Sequence, residues 1–357
     1  MLSVALRRSD VRVTALADVA IEDLRLQPRE GVRYHASLQA MLDDDGIDAV
    51  HIATPTPLHF EHVLQALDSG RHVIVEKPVT CDSAAARRLA EIAEHSDHAV
   101  LVGHSESFEP HVAAVRQVID EDEIGDTVMV VAEKFTDWMR RPRLPEEWDP
   151  AMGGGLIRRQ GVHQVDVVRT LADRDYCVRV AQTRGDPERG ATGSYCAWLS
   201  STGATEAFIA HDAVGRLSGG SAPAAAGNTT VAGVAENGEL VEKRSRASRL
   251  LARALDGGER LALGADDTGR LLILGTDGEV TVLGTRVEVT GRSGRRTIAL
   301  DGYPSGRDAV LDELLGAISG ERVVEHSLAW GAENLRLCEE IEQVADANRT
   351  MEMKGAR

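Results

Sequence analysis

The chain has 357 residues, with 57 acidic side chains against 40 basic ones and a formal net charge of -17. That length suffices for two domains with separate cores, and that charge opposes binding to nucleic acid or an anionic membrane. The four cysteines, Cys81, Cys177, Cys196 and Cys338, form no C-x-x-C pair, so neither a disulfide framework nor a metal site is expected. No run approaches the length of a membrane span, and the N-terminus lacks a signal-peptide apolar core. A soluble, cytoplasmic α/β protein is expected.

Met1 to Arg8 reads as the later part of a helix, and Val11 to Ala17 as a strand closed by Asp18. In a dinucleotide-binding fold an acid at the end of the second strand accepts hydrogen bonds from ribose hydroxyls. Asp18 is therefore a cofactor candidate that favours NAD, whereas Arg7 or Arg8 facing a 2′-phosphate would favour NADP. A first strand and a G-x-G-x-x-G turn should precede it, yet no glycine occurs before Gly31. The expectation is a start placed too late, with about 12–18 residues missing, enough for one strand and that turn. Val32 to His35 then reads as a short strand, Leu38 to Leu42 as a helix, and Asp43-Asp44-Asp45-Gly46 as a turn.

Ala49 to Ala53 is a short apolar run that stops at Thr54-Pro55-Thr56-Pro57, the pattern of a buried strand ending in a turn. Thr56 is placed to N-cap a helix with Pro57 at its first position. Phe60, Val63, Leu64 and Leu67 recur at helical spacing, and Gly70 suits a left-handed helix end. His72 to Val75 is a second strand that delivers Glu76-Lys77-Pro78 at its carboxyl end. Strand, helix and strand make a βαβ unit, whose ligands sit beyond the carboxyl ends of the strands. An isolated lysine at a strand end would be read as solvated surface. Ser83 to Glu94 is a helix with its stripe on Leu89, Ile92 and Ala93, and Ala99 to Val102 is the next strand, ending at Gly103-His104-Ser105-Glu106.

A helix is predicted over His111 to Ile119, a turn at Gly125 and a strand over Thr127 to Phe135. Arg140-Arg141-Pro142-Arg143 opens a cationic loop. Gly153-Gly154-Gly155 precedes a helix over Leu156 to Leu171 that carries the polar residues Gln160, His163, Gln164 and Asp166. Strand-like runs follow at Ala191 to Trp198, Thr205 to His211, Leu271 to Leu274, Val280 to Leu283 and Arg286 to Thr290, which suit one large, mostly antiparallel sheet. Ser218 to Gly227 reads as a surface loop. Arg307 to Ile318 and Ala329 to Ala347 are the closing helices.

A strand ending in A-T-P-T-P-L-H, followed one helix later by V-I-V-E-K-P, resembles the Gfo/Idh/MocA family of oxidoreductases, along most of the chain. The resemblance implies an α/β plus α+β protein. Residues 1–105 would be a Rossmann domain lacking its first strand, and residues 106–357 a substrate-binding and oligomerisation domain built on the large antiparallel sheet. It implies NAD, with NADP possible, held by Asp18, Thr54, Pro55, Thr56, His59, Glu76, Lys77 and Pro78. It places Lys77 in the active site, where an ammonium orients a substrate hydroxyl and stabilises a developing alkoxide. His163, after the glycine run, becomes the acid/base, since imidazole titrates near working pH; a lone helical histidine is otherwise a structural residue. Many members carry Asp four residues before this His. Here that residue is Arg159, whose like charge is expected to lower the histidine pKa.

The arginines Arg140, Arg141, Arg143, Arg158 and Arg159 are open to two readings: recognition of a carboxylate or phosphate, or pairing with Glu146, Glu147 and Asp149. The pieces G-H-S-x-S-F, R-P-R-x-P-E-E and G-G-G-x-x-x-R-Q-G-x-H-Q-V-D-V-V-R resemble the dihydrodihydroxyphthalate dehydrogenase branch of the family, whose substrate is an anionic dihydrodiol. On that resemblance His104, Arg141, Arg159, Gln160 and Gln164 are substrate candidates, with Asp166 and Gln160 positioning His163 or the substrate. The expected reaction interconverts a secondary alcohol and a ketone on a small cyclic polyol, sugar or carboxylated dihydrodiol. The alternatives are an NAD-using glycoside hydrolase or epimerase-type relative, and a cofactor-free binding protein, which the missing glycine turn favours. A homodimer or homotetramer formed through the sheet face is expected.

Overall fold

The computed structural model describes residues 1–23, 29–172, 175–214 and 268–355; the loop expected at Ser218 to Gly227 lies outside them. The chain divides into two compact units, the first holding Met1–Asp48 and the second beginning at Ala49. In the first, a short helix α1 (Leu2–Ala5) precedes β1 (Ala15–Ala17) and β2 (Arg33–His35), which pair in parallel with Ala15 opposite Arg33. The strand expected from Val11 shortens to three residues because its partner β2 offers only three. Helix α2 (Leu38–Leu42) is capped by Ser37, whose hydroxyl accepts the Ala40 N–H at 3.2 Å.

The second unit opens with the expected βαβ pattern. Strands β3 (Ala49–Ile52), β4 (His72–Val75) and β5 (Val100–Val102) form a three-stranded parallel sheet in that order, with α3 (His59–Asp68) and α4 (Ser83–Ala93) as the crossovers. Val73, Ile74, Val75, Leu101 and Val102 are buried, as parallel strands covered by helices should be. Gly70 ends α3 at φ 70° as expected. The expected Thr56 cap is not made. Thr56–Leu58 is a 3-10 turn, and the Thr56 hydroxyl accepts from Arg159 instead. Asp82 caps α4, accepting the Ala85 N–H at 2.8 Å. The buried stripe of α4 is Ala86, Leu89 and Ala90, while Ile92, expected in it, is exposed.

After α5 (Pro110–Asp120), β6 (Thr127–Phe135) enters a second sheet. The helix expected over Leu156 to Leu171 begins as a π-helical turn, Ile157–Gly161, and becomes α only in α6 (Val162–Leu171). The remaining strands are β7 (Tyr176–Asp186), β8 (Ala191–Ser201), β9 (Glu206–Asp212), β10 (Thr268–Gly275), β11 (Glu279–Leu283), β12 (Arg286–Gly291) and β13 (Gly294–Ile298). Their order is β13-β12-β11-β10-β6-β9-β8-β7, antiparallel apart from the parallel β6–β9 pair. Two strands were not legible in the pattern. Register shifts beside Val178 and Arg184 break the alternation of β7, and β13 is an exposed edge with almost no apolar content. Helices α7 (Gly306–Ile318) and α8 (Leu328–Gly355) close the chain. One core joins Val130, Ala132, Ala207 and Ile209 of the sheet to Val165, Val168, Leu337 and Ile341 of α6 and α8. Each large side chain of this kind stabilises the fold by about 1.5–3 kcal/mol.

Candidate active site

Ile52 lies opposite Val75 in the parallel register, so Ala53-Thr54-Pro55 and Glu76-Lys77-Pro78 leave the sheet side by side. His59 ties the two segments together. Its ring nitrogens lie 2.8 Å from the Thr54 carbonyl oxygen and 3.0 Å from that of Pro78. Thr54 also bonds His62 at 3.0 Å. Burial lowers the His59 pKa, against the pull of those two carbonyls.

Lys77 Nζ donates a 2.8 Å hydrogen bond to the carbonyl oxygen of Arg159. A π-helical turn displaces its carbonyls from the regular i→i+4 ladder, and the Gln160 side chain donates to the same oxygen at 3.2 Å. Burial, and then the Arg159 charge, pushes the Lys77 pKa down to about 8, against Glu76 and Glu106. Glu76 moves the other way. Burial would raise its pKa, but the His51 hydrogen bond at 3.2 Å and the Lys77 charge bring it to about 2.

His163 is buried with its Nδ1 3.7 Å from Glu106 Oε1, and that nitrogen makes no hydrogen bond. The same Glu106 oxygen accepts from Lys134 Nζ at 2.6 Å. Burial, with Lys77, Lys134 and His104 adding to it, holds the His163 pKa well below the usual imidazole range. The imidazole is therefore neutral at neutral pH and able to accept a proton.

The glycine run has a steric reason. Gly153 and Gly155 sit at φ 71° and 91°, and a Cβ on Gly153 would stand 2.8 Å from the Thr56 methyl group. The loop thus lies directly against the turn that follows β3.

Other expected site residues face elsewhere. Asp166 is wholly buried and accepts from Trp330 Nε1 at 2.7 Å and Asn334 Nδ2 at 2.9 Å, with His104 Nδ1 3.8 Å away. It therefore sits against His104 and α8. Burial pushes the His104 pKa down to about 4, against the Asp166 charge. Gln164 donates to the carbonyls of Ala132 and Ala210 at 2.7 and 2.9 Å and accepts from the Tyr195 hydroxyl at 2.5 Å, which fastens α6 to the sheet. Arg141 pairs with Asp137. Arg143 and Arg159 share Glu147 Oε1, each at 3.4 Å, and Arg158 turns to Glu342 at 2.9 Å. In the first unit, Asp18 stands at the end of β1 as expected and accepts the Ala20 N–H at 2.8 Å.

Glu106 and Lys134 were not singled out from the sequence. Glu106 is the variable position inside G-H-S-x-S-F, and Lys134 is a charge near the end of the apolar alternation of β6. Both signals are visible only once the fold places them beside His163.

A lysine at the end of a parallel strand, bonded to the turn that opens the helix of a neutral histidine, sets a cation near a proton acceptor. Residues 2–104 match the NAD-binding Rossmann fold of the Gfo/Idh/MocA oxidoreductases, and residues 112–210 match the C-terminal domain of the same group. The chain belongs to the Gfo/Idh/MocA oxidoreductase family. It is 26% identical over 329 residues to the 1-carboxy-3-chloro-3,4-dihydroxycyclohexa-1,5-diene dehydrogenase of Comamonas testosteroni, an alignment covering 85% of this chain and 80% of that protein. It is 31% identical over 166 residues to the inositol 2-dehydrogenase of Rhizobium meliloti strain 1021, covering 46% and 48% of the two chains. Its fold is similar to the crystal structure of a presumed dehydrogenase from Bordetella bronchiseptica RB50, with TM-score 0.77, 28% identity and coverage of 98% and 94%.

The segments after β3 and β4 lie at the carboxyl ends of adjacent parallel strands, where α/β sheets take their ligands, and Ala53 and Pro55 there are exposed, which fits a bound NAD. Among the described residues no glycine precedes Gly31, so no residue is assigned to the pyrophosphate. No helix among the described residues is long and apolar enough to cross a membrane.

Proposed function

We propose that the protein oxidises a secondary alcohol of a small cyclic polyol, sugar or carboxylated dihydrodiol with NAD, or reduces the corresponding ketone. The observation that carries this reading is the Lys77–Arg159 hydrogen bond, which holds an ammonium beside the start of the helix bearing His163. Lys77 would turn from that carbonyl to the substrate oxygen and stabilise the alkoxide as charge develops. His163 would take the hydroxyl proton at Nε2, and Gln160, which shares the Arg159 carbonyl, would hold the substrate. Bound nicotinamide would supply the hydride acceptor. Thr54, Pro55, Thr56, His59, Glu76 and Pro78 would form its cradle, and Asp18 would favour NAD over NADP through the ribose.

The carboxylated dihydrodiol is the substrate class we favour. Arg159, beside the π turn, reaches Thr56 at 3.2 Å and Glu147 at 3.4 Å, and a guanidinium at that place suits an anionic substrate. The similarity to a dehydrogenase of a carboxylated dihydroxycyclohexadiene over 85% of the chain supports the same choice. Asp166 and His104 would position the helix, and Gln164 would set its distance from the sheet. We assign residues 1–105 to the nucleotide and 106–357 to the substrate. A dimer or tetramer would form through the sheet, where the cross-strand partners Val180 and Trp198 are exposed. The four unpaired cysteines fit a reducing cytoplasm.

The test is NADH formation by the purified protein with carboxylated dihydrodiols, neutral dihydrodiols, inositols and sugars. Turnover highest on a carboxylated dihydrodiol supports the reading. No NADH or NADPH on any member of the panel, with NAD or NADP supplied, defeats it.

A further inference from the structure

Resting on the dehydrogenase reading above, we propose that Glu106 is the carboxylate that orients His163 and stabilises its protonated form during the reaction, with Lys134 holding the Glu106 side chain in place. Three observations point to this. His163 Nδ1 is buried and has no hydrogen-bond partner, which is costly for a polar atom unless a partner approaches at some stage. Glu106 Oε1 lies 3.7 Å from that nitrogen, so a small movement of a partly exposed side chain completes the bond. The residue one turn before His163 on its own helix, Arg159, is a cation and cannot serve.

The chain's own groups move the proton, while the carbinol hydride would pass to the bound nicotinamide of the dehydrogenase reading. When the substrate O–H bond breaks, its proton forms a new N–H bond at His163 Nε2. The ring then carries a positive charge and a proton at Nδ1. That charge develops among Lys77, Lys134 and His104, all of which oppose it, while Glu76 favours it. At 3.7 Å Glu106 is beyond hydrogen-bond length in the resting state, where burial and the lysines set the behaviour of the ring. Once the imidazolium forms, attraction draws the carboxylate onto Nδ1–H. Lys134, at 2.6 Å, competes for the same oxygen and would have to share it. Glu106 acts through the histidine, as a positioning residue.

The experiment is a pH titration of the His163 ring by nitrogen-resolved NMR in the wild type, Glu106→Gln, Lys134→Met and the double variant, without cofactor. The expected result is a titration moved to lower pH in Glu106→Gln and to higher pH in Lys134→Met, with a smaller rise in the double variant, where only the direct loss of the Lys134 charge remains. A titration unmoved in Glu106→Gln, or a rise that persists in full in the double variant, would overturn the proposal. In turnover, Glu106→Gln should lower kcat by about 10- to 100-fold with KM within about twofold, and Glu106→Asp should recover part of the loss. If the wild type forms no NADH, the dehydrogenase reading fails, while the titration still decides the place of Glu106.

Discussion

The ammonium of Lys77 bonds the carbonyl of Arg159, 82 residues further along the chain, at 2.8 Å. This contact joins the end of β4 to the π-helical turn that begins the His163 helix. It means that the strand end and the helix do not find their spacing independently. The carbonyl displaced by the π turn is the resting partner of the cation, and a substrate oxygen is the partner that would replace it.

Replacing Lys77 by Met should therefore remove charge stabilisation that is needed mainly in the transition state. The expected outcome is a kcat lower by about 100-fold or more, with NAD affinity within about twofold of wild type. Steady-state kinetics with calorimetry of NAD binding checks both halves. Turnover retained in Lys77→Met removes the residue from the chemistry.

The pH profile follows from the two shifted groups. Lys77, brought down to about 8 by burial and Arg159, must be charged to act, so activity should fall as pH rises through about 8. His163 must be neutral to accept a proton, and its pKa lies well below the usual imidazole range. Oxidation should therefore show no loss on the acid side until well below pH 6.5. Arg159→Gln removes one of the charges that lower Lys77, and should move the alkaline limb to higher pH. A profile with its acid limb at an ordinary histidine pKa would contradict this assignment.

Arg159 also tests the substrate charge. Among the described residues its guanidinium bonds Thr56 at 3.2 Å and lies 3.4 Å from Glu147. Arg159→Ala should raise KM for a carboxylated substrate by about tenfold and for a neutral diol by no more than about twofold. Equal effects on the two would favour a purely local pairing role.

Gln164 should affect stability more than substrate affinity. Gln164→Glu would set a carboxylate against the carbonyls of Ala132 and Ala210, both of which now accept its N–H groups. The expected loss is about 3 kcal/mol or more in urea unfolding, from buried acceptors left unpaired. KM should change little in the folded fraction.

The sheet residues that present Lys77 were legible because apolar runs, a Pro-rich stop and Gly70 mark β3, α3 and β4 within one short stretch. His163 was singled out through the family resemblance of the glycine run before its helix, and the structure buries it beside Glu106. The π turn was not, because its apolar spacing over Leu156 to Leu171 is that of an ordinary helix. Nor was the fate of Asp166 and Gln164. Both are polar residues on the site's own helix, but their partners, Trp330 and Asn334 for one and the carbonyls of β6 and β9 for the other, are tertiary. Thr56 shows the same limit in a smaller way. Its local chemistry suited a cap, and a distant arginine took the hydroxyl.

The most direct measurement follows a substrate deuterated at its carbinol carbon. A carboxylated dihydrodiol labelled in this way is incubated with the wild-type protein and NAD, and the products are resolved by mass spectrometry. The expected result is one labelled NADH formed for each substrate consumed, with formation abolished in Lys77→Met. Substrate consumed without net NADH would instead show an internal oxidation and return of the hydride, and would contradict the dehydrogenase reading.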